Sequence, residues 1–373
     1  MICRINALAR REVPRGGGGR KRSAAFRAGW NREPDRPFPN LFLTWDISMI
    51  DDRSARERAA LQELLRYLDA MSYRFVTPTP ATHRRVLARR PPVGTTPQHV
   101  LGWSLPFAGG GIDPRLEQIL ADADVIEPVS DGLFRARIRV SSLHGRLFLH
   151  SAFPTLSGDA VFLGPDSYRF ADLIHSELAA VPPPGGSIIV DMGTGAGVGA
   201  IVAAGLCPGA RVIMTDVNRQ ALALAAINAR HAGCDIEPRH GRNLAGWADG
   251  VDIALANPPY IIDAARRAYR DGGGPLGAGI SIEMTQAGIG SLKPGGRFIL
   301  YTGSAIVSGR DRLKDDLHRL AKSHQLALHY RELDPDVFGE ELDEPCYADV
   351  DRIAVIAAIF HRAGSGPDHP AKA

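Results

Sequence analysis

Ile188-Ile189-Val190-Asp191-Met192-Gly193-Thr194-Gly195-Ala196-Gly197 is an apolar run that breaks into alternating glycines. It predicts a buried strand, a tight turn and the start of a helix. Glycine tolerates left-handed backbone and places no side chain between the turn and a ligand, and the free N–H groups of the helix N-terminus face whatever occupies the turn. Gly195-x-Gly197-x-x-Ala200 also fits a relaxed dinucleotide fingerprint. The turn by itself therefore admits an NAD-dependent oxidoreductase as readily as other nucleoside-cofactor enzymes.

Strand–helix alternation continues on the C-terminal side, the mark of a parallel sheet covered on both faces. Strands are expected at 187–191, 211–215, 252–256 and 297–301, and helices at 197–206, 219–231 and 280–292. A last strand at 352–360 follows a long loop. Asp216 ends the second strand. An acid there can accept both hydroxyls of a ribose, and it can also cap the next helix.

Asn257-Pro258-Pro259-Tyr260 follows the strand at 252–256, at the carboxyl edge where open α/β sheets bind ligands. Two prolines remove donors and stiffen the backbone, so carbonyls stay free to accept. The Asn257 amide oxygen and the Pro258 carbonyl can hold the two hydrogens of a planar NH2. Tyr260 is expected to offer a flat face for stacking. A dehydrogenase has no use for that arrangement.

The glycine turn, Asp216 and the Asn-Pro-Pro-Tyr stretch together resemble the class I S-adenosylmethionine-dependent methyltransferases, in particular the amino-methyltransferases with an (N/D)PP(Y/F) motif. The resemblance spans about 153–363 and implies a Rossmann-like α/β sheet with S-adenosyl-L-methionine as cofactor. It assigns cofactor binding to Asp191, Gly193, Thr194, Gly195, Gly197 and Asp216, and catalysis to Asn257, Pro258, Pro259 and Tyr260, with Asn257 close to the cofactor as well. Asn243 stands where the family often has an acid, and is the expected adenine contact. Val161–Tyr168 and the glycine-rich stretch 271–277 look like segments of HemK-like glutamine methyltransferases. The small-domain methyltransferases of ribosomal RNA share much of this.

The N-terminal half departs from HemK, because no five-helix substrate domain is legible. Residues 49–150 read as three helices followed by a β-hairpin (133–140 and 146–150), the element order of a winged-helix module, so a smaller, mostly helical domain is expected ahead of a methyltransferase domain at 151–363. His83-Arg84-Arg85 and Arg89-Arg90 suggest a basic helix face, and Arg135, Arg137 and Arg139 alternate as if on one side of a strand. Phosphate contact and a solvated charged surface fit these equally.

Residues 1–40 hold ten Lys and Arg against three acids, which leaves the rest of the chain mildly acidic despite a formal total of +3. Segments 1–48 and 364–373 have the composition of disordered tails, and the former also that of translated upstream sequence ahead of Met49. Four scattered cysteines and no paired histidine spacing predict neither disulfides nor a metal. With no membrane-length apolar run and no secretory core, a cytoplasmic location is expected. The expected reaction is N-methylation of a planar NH2. The favoured acceptor is an exocyclic amine of a nucleic-acid base, in unstacked RNA rather than DNA. A protein glutamine amide is the alternative and a small molecule the third choice.

Overall fold

The computed structural model describes residues 53–90, 92–130, 132–242 and 250–364. The segment 1–48, Asn243 and the residues from 365 on lie outside these. The described residues belong to one compact unit.

Helix α1 (Ala55–Ala70) opens with a capping box, in which Ser54 accepts from the Glu57 N–H while Glu57 reaches back to the Ser54 N–H. Its Leu61, Leu64, Leu65 and Leu68 form the buried stripe that their spacing predicts. Helix α2 (Pro80–Leu87) starts from Thr79 with proline in its first turn. The short strand β1 (Phe107–Ala108) precedes α3 (Pro114–Asp122), which Asp113 caps.

Here the expected hairpin needs correction. The stretch 133–140 is two strands, not one. Strand β3 (Leu133–Ala136) pairs with β1 and with β2 (Ile126–Pro128), whereas β4 (Ile138–Leu143) pairs only with β5 (Arg146–Ser151). Arg137 separates the two, its N–H bonded to the Val125 carbonyl. The arginine alternation therefore makes no common face. Arg135 pairs with Glu127 at 2.7 Å, Arg137 pairs with Asp124 at 3.2 Å, and Arg139 is buried.

Helix α4 (Pro165–Ala180), which the sequence reading left out, leads into the central sheet. Then follow β6 (Ile188–Met192), α5 (Val198–Leu206), β7 (Arg211–Asp216), α6 (Arg219–His231), β8 (Ile236–His240) and β9 (Val251–Ala256). Beyond the motif loop come α7 (Gly279–Gly290), β10 (Leu292–Val307), β11 (Arg310–Asp311), α8 (Arg312–Ser323), β12 (Leu326–Asp334) and β13 (Arg352–Arg362). The main sheet runs β12-β13-β10-β9-β6-β7-β8. Strands β6 to β10 are parallel, while β13 is antiparallel to both β10 and β12. The sheet is thus mixed, and the expected long loop before the last strand holds α8 and β12. Strand order reverses between β6 and β9, so a crevice opens at their carboxyl ends.

One apolar cluster runs without a break from Leu61 of α1 through Phe148 of β5 to Leu222 of α6 and Val212 of β7. The fully buried Asn228 of α6 fastens the junction: it accepts from the Leu149 N–H at 2.8 Å and donates to the Leu149 and Ala196 carbonyls at 3.0 and 2.9 Å. The N-terminal hairpin is thereby tied to the glycine turn. Three of the amide's hydrogen-bonding positions are satisfied in a dry interior, where an unmet polar group would be costly.

Candidate active site

A cleft of about 1080 Å³ lies over the carboxyl ends of β6, β7 and β9. It is lined by Gly193, Thr194, Gly195, Asp216 and Asn257 through Tyr260. Thr77, Arg84, Arg139 and Phe153, all ahead of the central sheet in the chain, line it as well.

Gly193, Gly195 and Gly197 all have left-handed backbone, at φ 66°, 55° and 87°, so the alternating glycines are a conformational requirement. A Cβ on Gly195 would meet no protein atom within 4 Å and would project into open space at the turn. The turn is thus a cradle with room for a ligand against its backbone.

Asp191 and Gly197 do not line this cleft. Asp191 lies beneath the turn, 1% exposed, where it accepts from the Thr194 hydroxyl at 2.5 Å and the Ala200 N–H at 2.9 Å. Burial, reinforced by the charge of Asp216, pushes its carboxyl up to about 7. Asp191 holds the turn and the first turn of α5 together, and Gly197 packs against Ala225. Asp216 is half-buried at the cleft, and its carboxylate accepts from the Gly195 N–H at 2.9 Å and the Asn218 N–H at 2.8 Å. Burial raises its pKa despite those donors. The carboxylate retains capacity for further donors such as ribose hydroxyls. Val217, beside it, leaves an apolar side chain 44% exposed at the cleft. The turn, the acid and the apolar contact fit S-adenosylmethionine.

The motif loop is rigid for a reason visible in its neighbours. Gly272 donates to the Ile261 carbonyl at 2.8 Å, and a Cβ there would stand 2.7 Å from Tyr260 Cα. Gly277, at φ 78°, would put a Cβ 2.3 Å from the Tyr260 carbonyl. The glycine-rich stretch is thus pressed against the Asn-Pro-Pro-Tyr backbone at a distance only glycine allows. Beyond the motif, the Ile262 N–H donates to the Tyr347 hydroxyl at 2.7 Å, and the Tyr269 hydroxyl donates to the Thr155 carbonyl at 2.8 Å.

Neither the Asn257 side-chain amide nor the Pro258 carbonyl has a hydrogen-bond partner among the described residues. Both are therefore available to hydrogens from a ligand. Tyr260 corrects the sequence expectation. It is 7% exposed, with its ring lodged against Gly303 and edge-on to Phe338 at 5.8 Å. The ring supports the loop from below more than it offers a stacking face. Its buried hydroxyl has no hydrogen bond of ordinary geometry, and burial together with the nearby Asp166 charge puts its pKa far above the usual tyrosine range.

Asp166 is a cleft residue that sequence reasoning missed, although it lies within the quoted 161–168 stretch. It accepts from the Tyr301 hydroxyl at 2.9 Å, stands 3.8 Å from Arg169, and has its pKa raised by burial. Only the fold brings it beside the motif. Asn243 lies outside the described residues. Among those described, no cluster of His, Cys, Asp and Glu could hold a metal, and no helix is long and apolar enough to cross a membrane.

Residues 173–305 match the family model "Methyltransferase small domain". The release factor glutamine methyltransferase of Deinococcus radiodurans is 28% identical over 287 residues, covering 75% of this chain and 96% of that protein. The enzyme of the same name from Bordetella pertussis is 31% identical over 179 residues, 44% of this chain and 59% of its own. The solved T. thermophilus 16S rRNA N2 G1207 methyltransferase is 15% identical, with a TM-score of 0.40 over 69% of this chain and 64% of its own, a similarity too slight to speak to substrate. A Rossmann-like sheet alone leaves an NAD-dependent oxidoreductase open. The relatives and the family match close that choice: the chain is an S-adenosylmethionine-dependent methyltransferase, similar to the HemK-like, Asn-Pro-Pro-Tyr type.

Proposed function

We propose that this enzyme methylates the side-chain amide nitrogen of a glutamine in a protein. The observation that carries the reading is the adjacent pair of unpartnered acceptors, Asn257 Oδ1 and Pro258 O, on a loop braced from below. Two fixed acceptors suit the two hydrogens of a planar amide. Held there, the nitrogen is aimed at the cofactor side of the cleft and its electron density rises as its hydrogens are drawn away. S-adenosylmethionine, when bound, supplies an electrophilic methyl group. Gly193, Thr194, Gly195 and Asp216 hold the cofactor, and Asn257 and Pro258 hold the acceptor. The nitrogen loses one proton to water after transfer.

A base amine would satisfy the same two acceptors, and was the substrate favoured by sequence alone. Its support came from the basic stretches, of which Arg135 and Arg137 are engaged in ion pairs. The relatives named for glutamine methylation favour the amide. Release factors are the first acceptors to try, although the described residues of the N-terminal half form three α-helices and two small sheets in place of five helices. The test is transfer of labelled methyl from S-adenosylmethionine into purified release factors, a proteome extract and total RNA. N5-methylglutamine in the protein digest supports the reading, and label confined to RNA nucleosides overturns it.

A further inference from the structure

The N-terminal wall of the cleft carries a positive charge that nothing in the described protein neutralises. Arg139 of β4 lines the cleft and is 4% exposed. Its Nε donates to the Gly102 carbonyl at 2.9 Å, and its guanidinium sits 5.3 Å from the centre of the Phe75 ring. Nη2 is buried with no hydrogen-bond partner, and no carboxylate pairs with Arg139 among the described residues.

The titratable groups facing it do not balance it. Tyr73 and Tyr168 are protonated, each with its pKa raised by burial. His83 and His150 are both pushed toward the neutral form by burial and by Arg139 itself. His150 bonds Ser141 at 2.9 Å, and Ser141 bonds Thr77 at 2.6 Å, so those polar groups satisfy one another. A buried guanidinium without an anion is unfavourable, and its own pKa is accordingly lowered to about 10. Arg139 lines the cleft, so an anion that enters there can supply the missing partner.

Two features narrow what that anion is. The cofactor contacts in the proposed site come from the turns after β6 and β7, none of them from the N-terminal half, which leaves Arg139 free for another ligand of the cleft. The cleft is also lined by Asp166, Glu283, Asp334, Asp336, Glu340 and Glu341. Arg169, Arg242 and Arg270 also line it, but they pair with Asp166 and Asp334, with Glu283 and with Glu341, so Arg139 offers its charge locally and suits a single carboxylate better than a polyphosphate backbone. We propose that Arg139 anchors a carboxylate-binding subsite for the methyl acceptor, reading an acidic side chain close to the methylated residue. The acceptor's being a polypeptide rests on the glutamine reading above; the carboxylate subsite itself does not.

The test therefore separates binding from turnover. The full chain, loaded with S-adenosylhomocysteine, is titrated with N-acetylglutamate methylamide, its near-isosteric neutral γ-methyl ester, and inorganic phosphate. The charged capped amino acid is expected to bind roughly tenfold or more tighter than the neutral one, the scale of one charge-assisted hydrogen bond. Arg139→Gln should erase that preference and Arg139→Lys should restore part of it, with S-adenosylmethionine affinity unchanged in both. Equal binding of the two isosteres to the unaltered protein overturns the proposal even if neither variant folds. Tighter binding of phosphate than of carboxylate, or a loss of cofactor affinity in Arg139→Gln, also overturns it. Failure of any protein to accept methyl would instead count against the glutamine reading, because the titrations involve no transfer.

Discussion

A Cβ placed on Gly303 would stand 2.1 Å from Cδ2 of Tyr260, so β10 runs flush against the ring that supports the motif loop. Gly303→Ala is expected to push Tyr260, and with it Asn257 and Pro258, out of position. Overpacking of this kind costs about 1–3 kcal/mol of stability, and displacement of positioning groups by an ångström can cost on the order of a hundredfold in rate. Melting curves and initial rates on the same preparation check this. Normal turnover in a destabilised Gly303→Ala protein would show that the ring's place does not matter to the loop.

Asn257→Ala should nearly abolish turnover while cofactor affinity stays close to normal, because its free amide is proposed to hold the acceptor. The expected loss is on the order of a hundredfold or more. Tyr260→Phe should be milder, since the hydroxyl it removes makes no hydrogen bond of ordinary geometry and only approaches the Asp166 carboxyl. Tyr260→Ala should instead cost stability, by roughly 3–5 kcal/mol for an emptied aromatic site. Initial rates, calorimetry and thermal melts on the three variants distinguish these effects. Near-wild-type turnover in Asn257→Ala would reduce the motif to a stiff turn.

Asp216→Ala should weaken S-adenosylmethionine binding roughly tenfold or more, the effect of losing a charged acceptor worth about 1.5–3 kcal/mol. It also strips the Gly195 and Asn218 N–H groups of their partner, so the glycine turn itself should loosen. Calorimetry reads the first effect and amide hydrogen exchange at the turn reads the second. Unchanged affinity in a folded variant would remove Asp216 from the cofactor site.

Asp191 sets a pH dependence of the cofactor-free protein. Its folded-state value of about 7 lies above the roughly 3.9 of an unfolded aspartate, so its contribution favours folding most below pH about 4. That contribution is lost progressively as pH rises toward about 7 and stays lost above it. Asp216 is shifted in the same direction. Urea unfolding across this window should show stability falling with pH, and Asp191→Asn should flatten the slope. Parallel curves for the two proteins would mean that another group carries the dependence.

The parallel core of the sheet was legible because β6, β7 and β9 are short apolar runs ending at marked residues: the glycine turn, Asp216 and Asn257. Strand β8 was not, because Ile236-Glu237-Pro238-Arg239-His240 has one apolar side chain and a proline. Strand β12 sits at the sheet edge with exposed and half-buried residues alternating, and the hydrophobic signal there was too weak to stand out. The break at Arg137 was hidden because alternation along 133–140 continues straight through it.

Local chemistry determined the glycine turn, the stiffness of the Asn-Pro-Pro-Tyr stretch and the acid at the end of β7, since each depends on backbone geometry encoded within a few residues. Tertiary packing decided what each one does. Asp191 lies one layer below the cleft because burial and the Thr194 and Ala200 donors draw it there. Tyr260 is a support because Gly303, far along the chain, leaves it a slot. Asp166 and Arg139 reach the same cleft from segments that no spacing rule connects to the motif. Side-chain charge is written in the sequence, but whether that charge meets a counter-ion, a solvent shell or an empty cleft depends on which distant elements pack against it.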